Sequence, residues 1–177
     1  YREGDRFGNN LQSAACSGRL SLIEFLLKKG FDINAEGGCH GTALHAAANC
    51  GRASTVQFLI EKGADFRIRA GPYWPTLMAA ASAGSGFLGH KTNQDLLEHG
   101  AVEYINVQGG KCGSALRAAI CEGDMSVVRL LLRHGVIFAL KDRDFSEALL
   151  DEEHSDIEEM LYARGFRIKS GPVHRDD

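Results

Sequence analysis

Apolar and small residues recur along the chain in a two-part pattern. A leucine opens a run of small residues in FGNNLQSAACSG from Phe7, HGTALHAAANCG from His40, WPTLMAAASAG from Trp74 and CGSALRAAICEG from Cys112. A more strongly apolar block follows each: EFLLKKGFDIN from Glu24, QFLIEKGADFR from Gln57, DLLEHGAVEYIN from Asp95 and RLLLRHGVIFA from Arg129. Leu11 and Leu44 lie 33 positions apart, as do Leu44 and Leu77, whereas Leu77 and Leu116 lie 39 apart. The chain is thus an internal repeat with one longer unit.

Each unit predicts helix, turn, helix and hairpin. The leucine-alanine block follows a small polar residue, Asn9, Thr42 or Ser114, whose side chain suits a helix N-cap. Its alanines keep one face thin, so a neighbouring helix can approach closely. Gly18, Gly51, Gly84 and Gly123 end it. The second block sets apolar residues such as Leu22, Ile23, Leu26 and Leu27 at helical spacing. It stops at Gly30, Gly63, Gly100 and Gly135, each preceded by Lys or His, a favoured C-terminal arrangement. Short β-leaning runs with Gly37-Gly38 or Gly109-Gly110 supply the turn between units.

The period, with Thr42-Ala43-Leu44-His45-Ala46-Ala47-Ala48, then Gly51, then Phe58-Leu59-Ile60 and Gly63-Ala64-Asp65, resembles the ankyrin repeat. The resemblance implies an all-α ankyrin-repeat solenoid of about five helix-turn-helix units with β-hairpin loops. The repeats fall at about 4–36, 37–69, 70–108 and 109–141, with a degenerate C-terminal cap at 142–169. Together they form a domain over 1–169, followed by a disordered tail at 170–177. With Ala43 and Ala115 where the family usually has proline, the array is similar to those in large filamentous-fungal ankyrin proteins. There such repeats often follow a nucleotide-binding signalling domain.

The third unit bends the pattern. SAGSGFLGHKTNQD between Ala81 and Leu96 carries Gly84, Gly86 and Gly89 and is polar at Thr92 and Asn93. Glycine inside a helix costs about 0.5–1 kcal/mol against alanine, so a loop followed by a short second helix is expected. Phe87-Leu88 in this insertion either folds back over that helix or protrudes toward a partner. Pro72-Tyr73-Trp74-Pro75 replaces the glycine-rich turn and presents the single tryptophan near a hairpin tip. The fifth unit puts Asp151-Glu152-Glu153 where the others have thin alanines, as an outward-facing terminal repeat requires. The first repeat has no such cap, so its outer face is expected to be covered by something upstream.

Charge changes the picture little. The net charge is −3; residues 141–177 hold 6 Lys/Arg against 11 Asp/Glu and residues 1–140 hold 14 against 12. No global positive field recruits nucleic acid, and Arg67, Arg69, Lys111 and Arg117 are interleaved with Glu36, Glu103 and Glu122. No apolar run is long enough to span a membrane as a helix. Five cysteines at irregular spacing fit reduced thiols in an intracellular compartment, cytoplasmic or nuclear, better than a disulfide scaffold.

Candidate chemistry is set aside on spacing. Cys39, His40, His45 and Cys50 lack paired C-x-x-C spacing, and Cys16, Cys50 and Cys121 on successive first helices are expected about 10 Å apart, too far to share a metal. In the family, the histidine at the position of His45 ties hairpin backbone to helix start. Cys39 beside His40 is adjacency, with no third group to hold a base. Gly109-Gly110-Lys111 lacks the rest of a P-loop, and the Gly84-Ser85-Gly86-Phe87-Leu88-Gly89 string follows a helix rather than a strand. No catalytic, metal or cofactor site is expected, and the protein is read as not an enzyme.

What remains is a surface. The resemblance implies partner contact at the positions that vary between repeats. On the hairpins these are Glu36, Cys39, Arg69, Tyr73, Trp74, Gln108 and Lys111. On the first helices they are Asn49, Cys50, Ser82, Arg117, Cys121 and Glu122, with Phe87 in the insertion. Tyr73 and Trp74 are the leading anchors, since such residues dominate binding hot spots. The expected function is a protein–protein interaction module or scaffold, excised from a larger protein, that uses the hairpin tips and concave helix face. The alternative is an intramolecular regulatory arm of a larger signalling or enzymatic protein of the NOD-like-receptor type. Asn34 and Asn106 occupy the hairpin asparagine that hydroxylases modify in some ankyrin proteins.

Overall fold

The computed structural model describes residues 10–71, 75–84, 87–110 and 112–136, with Glu159 and Ala163. The chain divides into two compact units, Tyr1–Val136 and Ile137–Asp177. Among the described residues the first contains four helix pairs: α1 (Asn10–Ser17) with α2 (Leu20–Lys28), α3 (Ala43–Asn49) with α4 (Ala53–Glu61), α5 (Thr76–Ala81) with α6 (Phe87–Glu98), and α7 (Ala115–Cys121) with α8 (Met125–Arg133). A short 3-10 helix, Ala101–Tyr104, follows α6. Asn9, the tail and all of the fifth repeat except Glu159 and Ala163 lie outside the described residues.

Local chemistry starts the helices where the sequence pattern places them. The Thr42 side chain accepts from the His45 backbone N–H at the head of α3, and Ser114 accepts from that of Arg117 at the head of α7. Asp124 caps α8, accepting from the Val127 N–H at 3.2 Å and the Ser126 hydroxyl at 2.6 Å. Such caps each contribute about 1 kcal/mol. Among the described residues two hairpins are reduced to single antiparallel bridges, Gly37 to Gly41 and Gly109 to Gly113.

The alanines decide the stacking. Ala14, Ala15, Ala46, Ala47, Ala48, Ala79, Ala80, Ala118 and Ala119 are all buried, and α1 packs on α3, α3 on α5 and α5 on α7. The second helices supply the larger apolar groups. Ile23 and Leu26, Val56 and Leu59, and Val128 and Leu131 are buried at matching positions, 12 and 15 residues after the leucine that opens each repeat. Each such side chain contributes roughly 1.5–3 kcal/mol through burial. Leu22, expected on that face, is exposed instead.

The third repeat differs from its expectation. Its second helix is not short: α6 runs 12 residues, against nine for α2, α4 and α8. The extra length is taken up as about one helical turn, which returns Leu96 and Leu97 to the buried side. Thr92, Asn93 and Asp95 are buried too. Asn93 Nδ2 donates to the Gly89 carbonyl at 2.9 Å, and Lys91 pairs with Asp95 at 2.7 Å, so much of this polarity is satisfied within the helix. Gly89 is needed for space: a Cβ there would meet the Gly84 carbonyl at 2.8 Å and Asp124 Oδ2 at 3.3 Å.

Two hairpin segments cross in close contact. A Cβ on Gly41, whose φ is +89°, would lie 2.6 Å from the Ala70 carbonyl carbon; one on Gly71 would lie 2.6 Å from the His40 oxygen. Only glycine allows backbone to meet backbone there while tolerating positive φ.

Candidate functional site

Hydrogen bonds between repeats hold the hairpins where they present their variable residues. Gln12 of α1 donates from Nε2 to the carbonyls of Ala35 at 3.0 Å and Gly41 at 2.6 Å, which anchors the first hairpin to the helix before it. His45 holds the matching position in α3. Its Nδ1 lies 2.8 Å from Thr42 Oγ1 and its Nε2 lies 3.2 Å from Thr76 Oγ1. Burial pushes its pKa down to about 4, so the ring is neutral near pH 7. The Asn34 side-chain oxygen accepts from the Asp65 N–H at 2.9 Å, linking loops of successive repeats. Arg52 Nε donates to the Cys16 carbonyl at 2.8 Å, closing the end of α1.

On this frame the positions expected to contact partners separate into two sets. Glu36, Cys39, Arg69 and Gln108 are exposed on the loops. Asn49, Cys50, Ser82 and Arg117 are half-buried, whereas Cys121 and Glu122 at the end of α7 are exposed. Ser82 is partly engaged, donating to the Met78 carbonyl at 2.9 Å with Cys112 Sγ 3.8 Å away. Tyr73, Trp74 and Lys111 lie outside the described residues, as does the side chain of Phe87, the residue that opens α6.

A recess of about 410 Å³ lies between the Ile60–Arg67 stretch and Gly100 and Glu103. At its edge Phe66 and Tyr104 meet edge to face with centroids 5.9 Å apart. It contains none of the expected contact positions.

The cysteines correct the sequence reading. Cys16 and Cys50 are not about 10 Å apart: their Cα atoms are separated by 5.3 Å and their sulfurs form a disulfide. Two features bring them together. The alanine faces of α1 and α3 approach closely, and Cys50 lies one position later in its repeat than Cys16, which turns the two side chains toward the same seam. Cys50, expected as a partner contact, is therefore bonded within the array. His40 joins them, with its donor atom and both sulfurs all within 4.8 Å of one another. Its Nδ1 is buried without a hydrogen-bond partner, and burial lowers its pKa.

On spacing alone His40 and Cys16 are set aside as ligands; the register that joins them is visible only once the repeats are stacked. The residue four before the repeat leucine touches the residue five after the previous repeat's leucine: His40 meets Cys16, as Cys112 meets Ser82.

Stacked helix pairs joined by protruding loops define a helical-repeat solenoid. Residues 3–70 match the family model of ankyrin repeats (3 copies), and the described helix pairs extend the same arrangement to Arg133. Over the described residues to Val136 the fold is an all-α ankyrin-repeat solenoid. No curated protein matches the chain. Among the described residues no helix is long and apolar enough to cross a membrane. Ankyrin repeats generally mediate protein–protein interaction and are typically non-catalytic.

Proposed function

We propose that this array binds a protein partner through the face formed by its loop tips and the exposed ends of its first helices. One observation carries the reading: the framework positions are buried and alike from repeat to repeat, while Glu36, Gln108, Cys121 and Glu122 are exposed and differ. Folding constrains the buried frame and leaves these exposed positions free to serve recognition. Tyr73 and Trp74 supply the anchors, and truncating a buried aromatic anchor typically costs about 2 kcal/mol or more of binding. The test is affinity capture from source-cell extract with wild type and Tyr73→Ala/Trp74→Ala, both checked by circular dichroism. A protein retained by wild type and lost only with the variant supports the reading. Equal retention by two folded proteins overturns the assignment of the anchors.

A second reading rests on α2. Leu20, Leu22 and Phe25 on this helix, and Phe31 just after it, are exposed, Phe25 by 54%. Apolar residues in such number at the first repeat suit a covering segment, which makes the array the regulatory arm of a larger signalling or enzymatic protein. Phe25→Glu separates the two readings. It disturbs packing against an adjoining domain of the same protein, measured by limited proteolysis, and leaves a partner bound at the loop tips in place.

A further inference from the structure

We propose that Cys16, Cys50 and His40, once the disulfide is reduced, form a zinc site that bridges the first two repeats. The ligands come from three separate places: the last turn of α1, the end of α3 and the hairpin before α3. The stacking of the repeats brings their donor atoms within 4.8 Å of one another. Tetrahedral zinc with bonds of about 2.3 Å to sulfur and about 2.0–2.1 Å to nitrogen needs ligand atoms about 3.5–3.8 Å apart. Once the disulfide is reduced, the two sulfurs must separate to that spacing, and the imidazole is already within reach of both.

A second, independent feature points to a ligand. Buried polar atoms are normally paired, and His40 Nδ1 is buried with no hydrogen-bond partner. An imidazole lone pair beside two sulfurs is a donor set that binds thiophilic metals, zinc among them. All three residues are half-buried, so a water or an outside ligand can take the fourth position. The matching contact two repeats later, Cys112 with Ser82, has one sulfur and no imidazole and does not make such a site.

The chemistry balances as follows. A dithiol reductant passes two electrons and two protons to the disulfide, giving two thiols and the reductant's own cyclic disulfide. Zinc then displaces the two thiol protons to solvent and binds both thiolates and the neutral imidazole. Oxidation by a small-molecule disulfide reverses the sequence: thiolate attacks the disulfide, the second thiolate resolves the mixed disulfide, and Zn²⁺ leaves with two small thiolates, which take two protons from solvent. The same seam is then held by metal in the reduced protein and by a covalent bond in the oxidised one.

The test uses the full chain, reduced with dithiothreitol and desalted anaerobically. It is titrated with Co²⁺ as a spectroscopic probe and then with Zn²⁺ as competitor. One equivalent with a sulfur-to-cobalt charge-transfer band, displaced by Zn²⁺, is expected for reduced wild type and absent from the oxidised protein. Cys50→Ser and His40→Ala should each weaken binding by about tenfold or more, while Cys112→Ser binds as wild type does. Should those variants misfold, alkylation of wild type mapped by mass spectrometry gives an independent answer: Zn²⁺ should slow modification of Cys16 and Cys50 and leave Cys39, Cys112 and Cys121 unchanged. No charge-transfer band in reduced wild type, or equal alkylation of Cys16 and Cys50 with and without Zn²⁺, overturns the proposal.

Discussion

His45 Nε2 of the second repeat lies 3.2 Å from the hydroxyl of Thr76 at the start of the third. The Thr76 hydroxyl donates its one proton to the Phe66 carbonyl at 3.1 Å, so Nε2 is the nitrogen that carries the ring hydrogen. Nδ1 then accepts from Thr42, whose oxygen in turn accepts the His45 N–H. The neutral ring thus has a partner at both nitrogens, and a second ring proton would put a charge into a fully buried site.

Stability therefore falls with acid. The folded pKa of His45 is about 4, below the unfolded value near 6.5. Between those values the unfolded chain binds a proton that the folded chain refuses, so this contribution is complete above about pH 6.5 and is lost as pH falls toward 4. The full loss is roughly 3 kcal/mol. Urea titrations at pH 7 and pH 4.5 should show it, and His45→Gln, though weaker at pH 7, should show a flatter dependence. Equal slopes would contradict the assignment.

Gly41 and Gly63 share nearly the same backbone, with φ of +89° and +90°, but not the same surroundings. A Cβ at Gly63 meets nothing within 4 Å, whereas one at Gly41 strikes the Ala70 backbone. Gly63→Ala should cost about 1 kcal/mol, from conformation alone. Gly41→Ala should cost roughly 3 kcal/mol, because the hairpin must also move. Chemical denaturation of the two variants measures the difference directly.

Ala47 is fully buried on α3, which packs against both α1 and α5. Ala47→Leu should destabilise by roughly 1–3 kcal/mol through overpacking, read as a lowered midpoint in thermal unfolding. A neutral result would mean that the first helices are less tightly stacked than their alanines imply.

α6 is the longest described helix and buries Thr92, Asn93 and Asp95, with Asn93 Oδ1 unpaired. Length adds hydrogen bonds, but cooperative stability comes from apolar packing, and here polar groups take part of that face. Hydrogen exchange should show α6 opening before α3 and α8, where apolar burial is continuous. Uniform protection from the second to the fourth repeat would contradict this.

The order of elements was legible because each signal for it is local. Leu11, Leu44, Leu77 and Leu116 mark the period, Thr42 and Ser114 cap their own helices, and Gly51 or Gly63 stops a helix within a few residues. Gly89 and the polar residues of this stretch predict a short second helix, because propensity counts residues singly. The helix formed from Phe87 onward because one added turn still brought Leu96 and Leu97 to the core.

By itself, then, the sequence determined the repeat, its helix pairs, its hairpins and the division between constant frame and variable tips. Each of these follows from periodicity and capping within about 33 residues. Only the tertiary structure decided which side chains meet between repeats: Cys16 with Cys50 and His40, His45 with Thr76, and Gly41 against Ala70. Those contacts depend on how closely alanine-faced helices stack and on a one-residue offset between neighbours. A difference of a few ångströms between helix axes separates two independent thiols from a bonded pair, and spacing along the chain does not encode that distance.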